Sequence, residues 1–380
     1  MKYNPRLFIL FLVVFLQANF IFGQVYARNG MVSSSSKIAS EVGIDILKKG
    51  GNAIDASVAT AFALAVTHPS AGNIGGGGFL VFMDSTGITT TIDFREKAPL
   101  KASPTMFLDD DGNLTDGANL YGRQASMHHI GAKSIGVPGT VAGLSLAHKK
   151  YGSLPWADLV QPSIDLAENG FPLTWSLFSA AAYFNTNSPI PFLKNYFSKD
   201  NGELTQFGEL WKQPELANTL TEIRDHGQDG FYKGVVAKEI VRFMEENGGI
   251  ITMEDLERYT AIERKPMKGS FKGYDIYSMP PPSSGGVALI EMMNLMELAD
   301  LDSIEFNSAA YVHLVAEVMR RAYADRAEHL GDADFNLDMP LDKLTSKSFA
   351  KTRFDNIDMA IASVSDSTRF GQIYDGKNTT

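Results

Sequence analysis

Residues 75–78 are four consecutive glycines, and they constrain this 380-residue chain more than any other feature. Without Cβ atoms, such a run lets another segment approach the backbone closely or lets the chain enter positive φ. What flanks it decides its use. Upstream, Asn52 suits a helix N-cap, and residues 54–66 are dense in alanine, as expected of a buried helix that Pro69 ends. Downstream, residues 79–83 and 88–94 are β-forming and are joined by the turn-like Asp84-Ser85-Thr86-Gly87. The order is therefore helix, glycines, hairpin. A dinucleotide fold needs the reverse, a strand before the glycines and a helix after them. A P-loop needs Lys and Ser/Thr after its glycines, where this chain has Phe79-Leu80. Nucleotide binding is excluded, and close backbone approach with positive φ is the expectation.

The remaining chain reads as mixed α/β. Ile38, Val42, Ile46 and Leu47 recur at helical spacing before Gly50-Gly51. Further helices are predicted over 140–150, 155–169, 214–226 and 235–247. Thr252-Met253-Glu254-Asp255 has capping-box character, and residues 274–279 read as a strand. Pro280-Pro281-Pro282-Ser283-Ser284-Gly285-Gly286 then leads into a helix over 287–298, whose Met292, Met293 and Met296 suit a core. Ser308 caps a helix running to about Arg326, with Glu317 and Arg321 at i,i+4 spacing. Residues 109–135 are polar and irregular and read as a surface excursion, in which His128-His129 are solvated.

Residues 1–23 stand apart. Lys2 and Arg6 precede an apolar run over 7–16, which Gln17 and Asn19 interrupt before the roughly 18–20 apolar residues a bilayer requires. This is a signal peptide with small residues at two cleavage points, Gly23 and Ala27, and it predicts export to the periplasm or medium with no stable membrane anchor. The absence of cysteine removes disulfides, thiolate metal sites and lipidation of a new N-terminal Cys. A net charge of −10 without a Lys/Arg cluster excludes a nucleic-acid partner. No cofactor or metal motif is present, so none is expected.

Two candidates for chemistry remain once the common hydrolase signatures, Gly-x-Ser-x-Gly and His-Glu-x-x-His, are found missing. Arg95 closes the second β-run in Asp93-Phe94-Arg95-Glu96. A guanidinium there suits either a salt bridge to a neighbouring acid or a two-point clamp on a substrate carboxylate. At the C-terminal end, Gly376-Lys377-Asn378-Thr379-Thr380 reads as a frayed tail or an N-x-Thr sequon. The acidic run Asp109-Asp110-Asp111 reads as solvated charge.

Six ordered stretches together resemble the γ-glutamyltransferase family. They are Gly51-Asn52-Ala53-Ile54-Asp55-Ala56, Ala71-Gly72-Asn73-Ile74 with the glycines and Phe79, Asp93-Phe94-Arg95-Glu96, Val137-Pro138-Gly139-Thr140-Val141-Ala142-Gly143, the Pro280 to Gly286 segment with Met279 before it, and Tyr323-Ala324-Asp325-Arg326. The resemblance implies an N-terminal-nucleophile hydrolase with an αββα sandwich, incomplete and inactive without its small subunit. Residues 24–378 would be the large-subunit region and 379–380 the start of the small subunit. The scissile bond would be Asn378–Thr379 and the catalytic nucleophile Thr379, whose freed α-amine, with a pKa near roughly 8, is suited to act as its base. Arg95 would pair with the substrate α-carboxylate. The glycines and the Pro280 to Gly286 segment would shape the site from behind. Implied partners are the small subunit from the same precursor and glutathione or other γ-glutamyl compounds. Residues 121–133 depart from the family pattern. Alternatives are a cephalosporin or glutaryl acylase, a capsule-polymer depolymerase, or a non-catalytic exported binding protein.

Overall fold

The computed structural model describes residues 26–120, 123–126, 131–187, 195–199 and 201–365. The predicted leader at 1–23, His128, His129, Asn378 and Thr379 lie outside these residues.

Helices α1 (Lys37–Lys48) and α2 (Ala53–Thr67) form the first layer. Ser36 caps α1 by accepting the Ala39 N–H, and Asn52 and Asp55 form a reciprocal capping box on α2. Small residues let the two helices lie close, since a Cβ on Gly43 would meet Thr60 Oγ1 at 2.2 Å. Val58, Phe62 and Val66 of α2 are fully buried at the centre of the main core.

The hairpin follows the glycines as expected. Strands β1 (Phe79–Met83) and β2 (Thr89–Asp93) pair antiparallel with Phe79 opposite Asp93. The irregular reading of 109–135 needs correction, because β3 (Asp116–Leu120) and β4 (Arg123–Ser126) form a second hairpin there. Their sequences, Asp-Gly-Ala-Asn-Leu and Arg-Gln-Ala-Ser, lack the apolar alternation by which a half-buried strand announces itself.

Helices α3 (Thr140–Tyr151), α4 (Trp156–Asn169), α5 (Trp175–Asn187), α6 (Pro214–His226) and α7 (Gly234–Glu246) complete this half. Of these, only α5 has no counterpart in the sequence reading. Strand β5 (Ile262–Arg264) joins β2 on the side away from β1, with Thr91 opposite Arg264 and Asp93 opposite Ile262. Thus β2 is the central strand of a three-stranded sheet, and its Ile92 is wholly buried.

A separate hairpin, β6 (Met267–Phe271) and β7 (Tyr274–Ser278), turns at Lys272-Gly273, both at positive φ as a tight two-residue turn requires. Helix α8 (Gly285–Met296) lies on it, so close that a Cβ on Gly269 would meet Ile290 at 2.7 Å. Helix α9 (Ala309–His329) packs on α8 through a smaller core containing Leu295, Leu314 and Val318. The i,i+4 pair expected on α9 is present but buried, with Arg321 Nη1 at 2.7 Å from Glu317 Oε2. Burial alone would raise the Glu317 pKa, but hydrogen bonds from Ser363 and Arg321 outweigh it and hold the carboxyl at about 2. The three-stranded sheet and the β6–β7 hairpin are therefore each packed against a helix.

Candidate functional site

Arg95 leaves the end of β2, and its backbone is fixed on every side. The β1–β2 ladder continues past the strands, Phe94 N–H donating to the Gly78 carbonyl at 3.0 Å. Around Phe94 the glycines close in. A Cβ on Gly77 would lie 2.5 Å from the Phe94 carbonyl oxygen, one on Gly139 2.0 Å from the same atom, and one on Gly143 2.1 Å from the Phe94 ring. Two of the six family-like stretches thus exist to let backbone approach the residue before Arg95. None of residues 75–78 has positive φ, so that half of the expectation is corrected and close approach alone accounts for the run.

Hydrogen bonds finish the job. Asp93 Oδ1 accepts the Arg95 N–H at 3.1 Å, and the Tyr259 hydroxyl donates to the Arg95 carbonyl at 2.7 Å. Tyr259 stacks on Tyr232 with ring centroids 5.6 Å apart, and burial pushes both hydroxyls far above their ordinary pKa, keeping them neutral donors. Arg264 secures Asp93 in turn, donating from Nε to Asp93 Oδ2 and from Nη2 to Asp334 Oδ1, each at 2.9 Å.

The guanidinium of Arg95 itself is exposed. Its Nη1 lies 3.5 Å from the Pro282 carbonyl oxygen, and among the described residues it forms no ion pair. The salt-bridge reading therefore has no acid to support it. Arg95 instead lines a cavity of about 460 Å³ with Lys97, Arg264, Pro282, Ser284 and Arg326. That volume lies within the roughly 300–1,000 Å³ of small-molecule sites.

Three of the family-like stretches meet at this cavity, although about 190 residues separate Arg95 from Ser284. The Pro280 to Gly286 segment forms part of the cavity wall through Pro282 and Ser284. Arg326 Nε donates to Ser284 Oγ at 2.7 Å. Its neighbour Asp325 turns the other way and is fully buried, accepting from Arg353 Nε at 3.0 Å. Burial, reinforced by the charge of Asp325, pushes the carboxyl of Glu291 to about 10, so Glu291 is protonated where it hydrogen-bonds Asp325. One tetrapeptide thus supplies a structural acid and a cavity cation from adjacent positions that point in different directions around the helix.

Sequence reasoning missed Arg264, Arg326 and Lys97 as cavity residues. Arg326 lay in a recognised stretch, whereas nothing in the local sequence marked Arg264. Among the described residues no group of three His, Asp or Glu side chains is placed to hold a metal, and no helix is long and apolar enough to cross a membrane.

The mixed helix and strand architecture and its likeness to solved structures place the chain in the N-terminal-nucleophile hydrolase class. Comparison with known proteins specifies it further: the Gamma-glutamyltranspeptidase family matches residues 39–380, and the chain belongs to that family. The glutathione hydrolase proenzyme of Escherichia coli K12 is 45% identical over 365 residues, covering 95% of this chain and 61% of the relative. The chain therefore spans about three fifths of the length of that relative. The crystal structure of Helicobacter pylori gamma-glutamyltranspeptidase superposes with a TM-score of 0.86 at 44% identity, covering 93% of this chain and 100% of the other. Gamma-glutamyltranspeptidase from Pseudomonas nitroreducens complexed with L-DON gives 0.81 at 40% identity, covering 91% and 99%.

Proposed function

We propose that this chain is the large-subunit region, residues 24–378, of a self-cleaving γ-glutamyltransferase and glutathione hydrolase exported by the leader at 1–23. The observation that carries the reading is Arg95, a guanidinium fixed at a strand end, exposed to a small-molecule cavity and without an acid of its own among the described residues. A planar fork in that state is suited to hold a carboxylate through two parallel hydrogen bonds. In the γ-glutamyl donor this is the α-carboxylate. The names of the relatives support the same chemistry.

The reaction follows from the positions that match the family. The Thr379 hydroxyl attacks the Asn378 carbonyl, forms an ester with loss of the peptide nitrogen as the free α-amine, and water opens the ester. That amine then takes the proton of the same hydroxyl as it attacks the γ-carbonyl of glutathione, and returns it to the departing nitrogen as the γ-amide bond breaks and cysteinylglycine leaves. The γ-glutamyl ester passes to water, giving glutamate, or to an amino acid or peptide, giving the transfer product. The partner of residues 24–378 is the small subunit beginning at Thr379. Exposed Val81 and Met83 on the edge strand β1 leave an apolar strip for it to cover.

Intact mass spectrometry on the purified full-length protein tests this reading. Two chains, the smaller beginning at Thr379, are expected. A single uncut, folded chain would refute it and favour a non-catalytic exported binding protein.

A further inference from the structure

The cavity holds a second guanidinium without a carboxylate. Arg326 is exposed, and among the described residues it forms no ion pair. Its Nε is occupied by Ser284 Oγ at 2.7 Å, which holds the side chain and leaves the two terminal nitrogens for a ligand. Four of the acids nearby have partners of their own. Asp325, adjacent in sequence, is buried on Arg353. Asp93 and Asp334 are both taken by Arg264, and Asp332 Oδ1 accepts the Asp334 N–H at 2.9 Å. Glu96 also lines the cavity, its carboxylate beside Gly76 and Gly77, and among the described residues it forms no ion pair with either arginine. Arg95 and Arg326 thus stand on different walls of one cavity, each lacking an anionic partner.

We propose that Arg326 is a specificity-determining residue that receives a second carboxylate of the donor, the free C-terminal carboxylate of a γ-glutamyl peptide, while Arg95 takes the α-carboxylate. This rests on the reading of Arg95 given above. One guanidinium held by Ser284 and another carried on the backbone that the Phe94 cage fixes select a dicarboxylate peptide over a γ-glutamyl amide that lacks the distal charge.

The test uses the full-length protein and a matched pair of donors, one γ-glutamyl peptide with a free C-terminal carboxylate and the same peptide amidated. The wild type should favour the acid about tenfold in kcat/KM, and Arg326→Gln should bring the ratio to about one. No preference in the wild type, or an unaltered ratio in Arg326→Gln, would overturn the proposal. Should the glutamine variant fail to fold, Arg326→Lys keeps the charge but loses the fork, and a ratio between those two values is expected. An unaltered wild-type ratio in that variant is equally contrary. Arg95→Gln should lower kcat/KM for both donors together. If it spares both, the α-carboxylate reading itself fails, an outcome separate from the acid-to-amide ratio.

Discussion

Arg264 and Asp93 are joined at 2.9 Å across the β2–β5 pair, and the other oxygen of the same carboxylate accepts the N–H of Arg95. Through this bond a residue from a distant strand sets the backbone of the cavity's first cation. Both side chains are largely buried, 16% and 8% exposed, so the pair cannot be broken without leaving an uncompensated charge.

Arg264→Met should therefore lower stability by about 3 kcal/mol. Urea denaturation of the purified variant checks this. It should also raise the KM for a γ-glutamyl donor, since Asp93 loses the partner that aims it. Equal stability and equal KM would show the bridge to be incidental.

Thr379→Ala should abolish both self-cleavage and turnover, because one hydroxyl performs both attacks. Arg95→Ala should still be cleaved while losing donor binding, raising KM by about tenfold or more. Gel analysis of processing alongside donor kinetics separates the two. A processed Thr379→Ala protein would remove Thr379 from the mechanism.

Two glycines of the family-like stretches should respond in opposite ways to alanine. At Gly143 the new Cβ would lie 2.1 Å from the Phe94 ring, and the cost should be about 1–3 kcal/mol with loss of donor affinity. At Gly75 it meets only Asn73 Oδ1 at 3.6 Å, an ordinary contact, so thermal unfolding should be little changed. Similar melting temperatures for the two variants would contradict the cage around Phe94.

The protonated Glu291 predicts an alkaline loss of stability. Its folded pKa is raised to about 10, whereas the unfolded carboxyl ionises near roughly 4.3. Below that unfolded value the contribution is fully present. Between the two values the unfolded chain binds fewer protons than the folded one, so stability falls as pH rises, by up to about 1.4 kcal/mol per pH unit. Glu291→Gln preserves a donor to Asp325 without the ionisation and should gain on the wild type between pH 5 and 9. Parallel stability curves would mean that Glu291 is ionised in the fold.

Local chemistry made much of the architecture legible from sequence. The Asn52 cap, the Thr252 capping box, the helix–glycine–hairpin order and the Ser308 cap all appear as expected, because each depends on neighbours within a few residues. The pairing of β3 with β4 and the helix α5 escaped notice, since their residues carry no clean apolar period. Arg95 was legible as a strand-end cation, but its choice between acid and ligand was not.

By itself, then, the sequence determined most of the elements and the family, and it marked the positions that match the family pattern. Only the tertiary structure decided that Arg95, Ser284 and Arg326 share one cavity and that Arg264 is neutralised on its wall. It also decided that adjacent Asp325 and Arg326 part company, one buried and one facing the cavity. The physical reason is range. Caps and turns are settled by bonds between near neighbours, whereas whether a charge finds a partner depends on side chains that packing brings in from far along the chain.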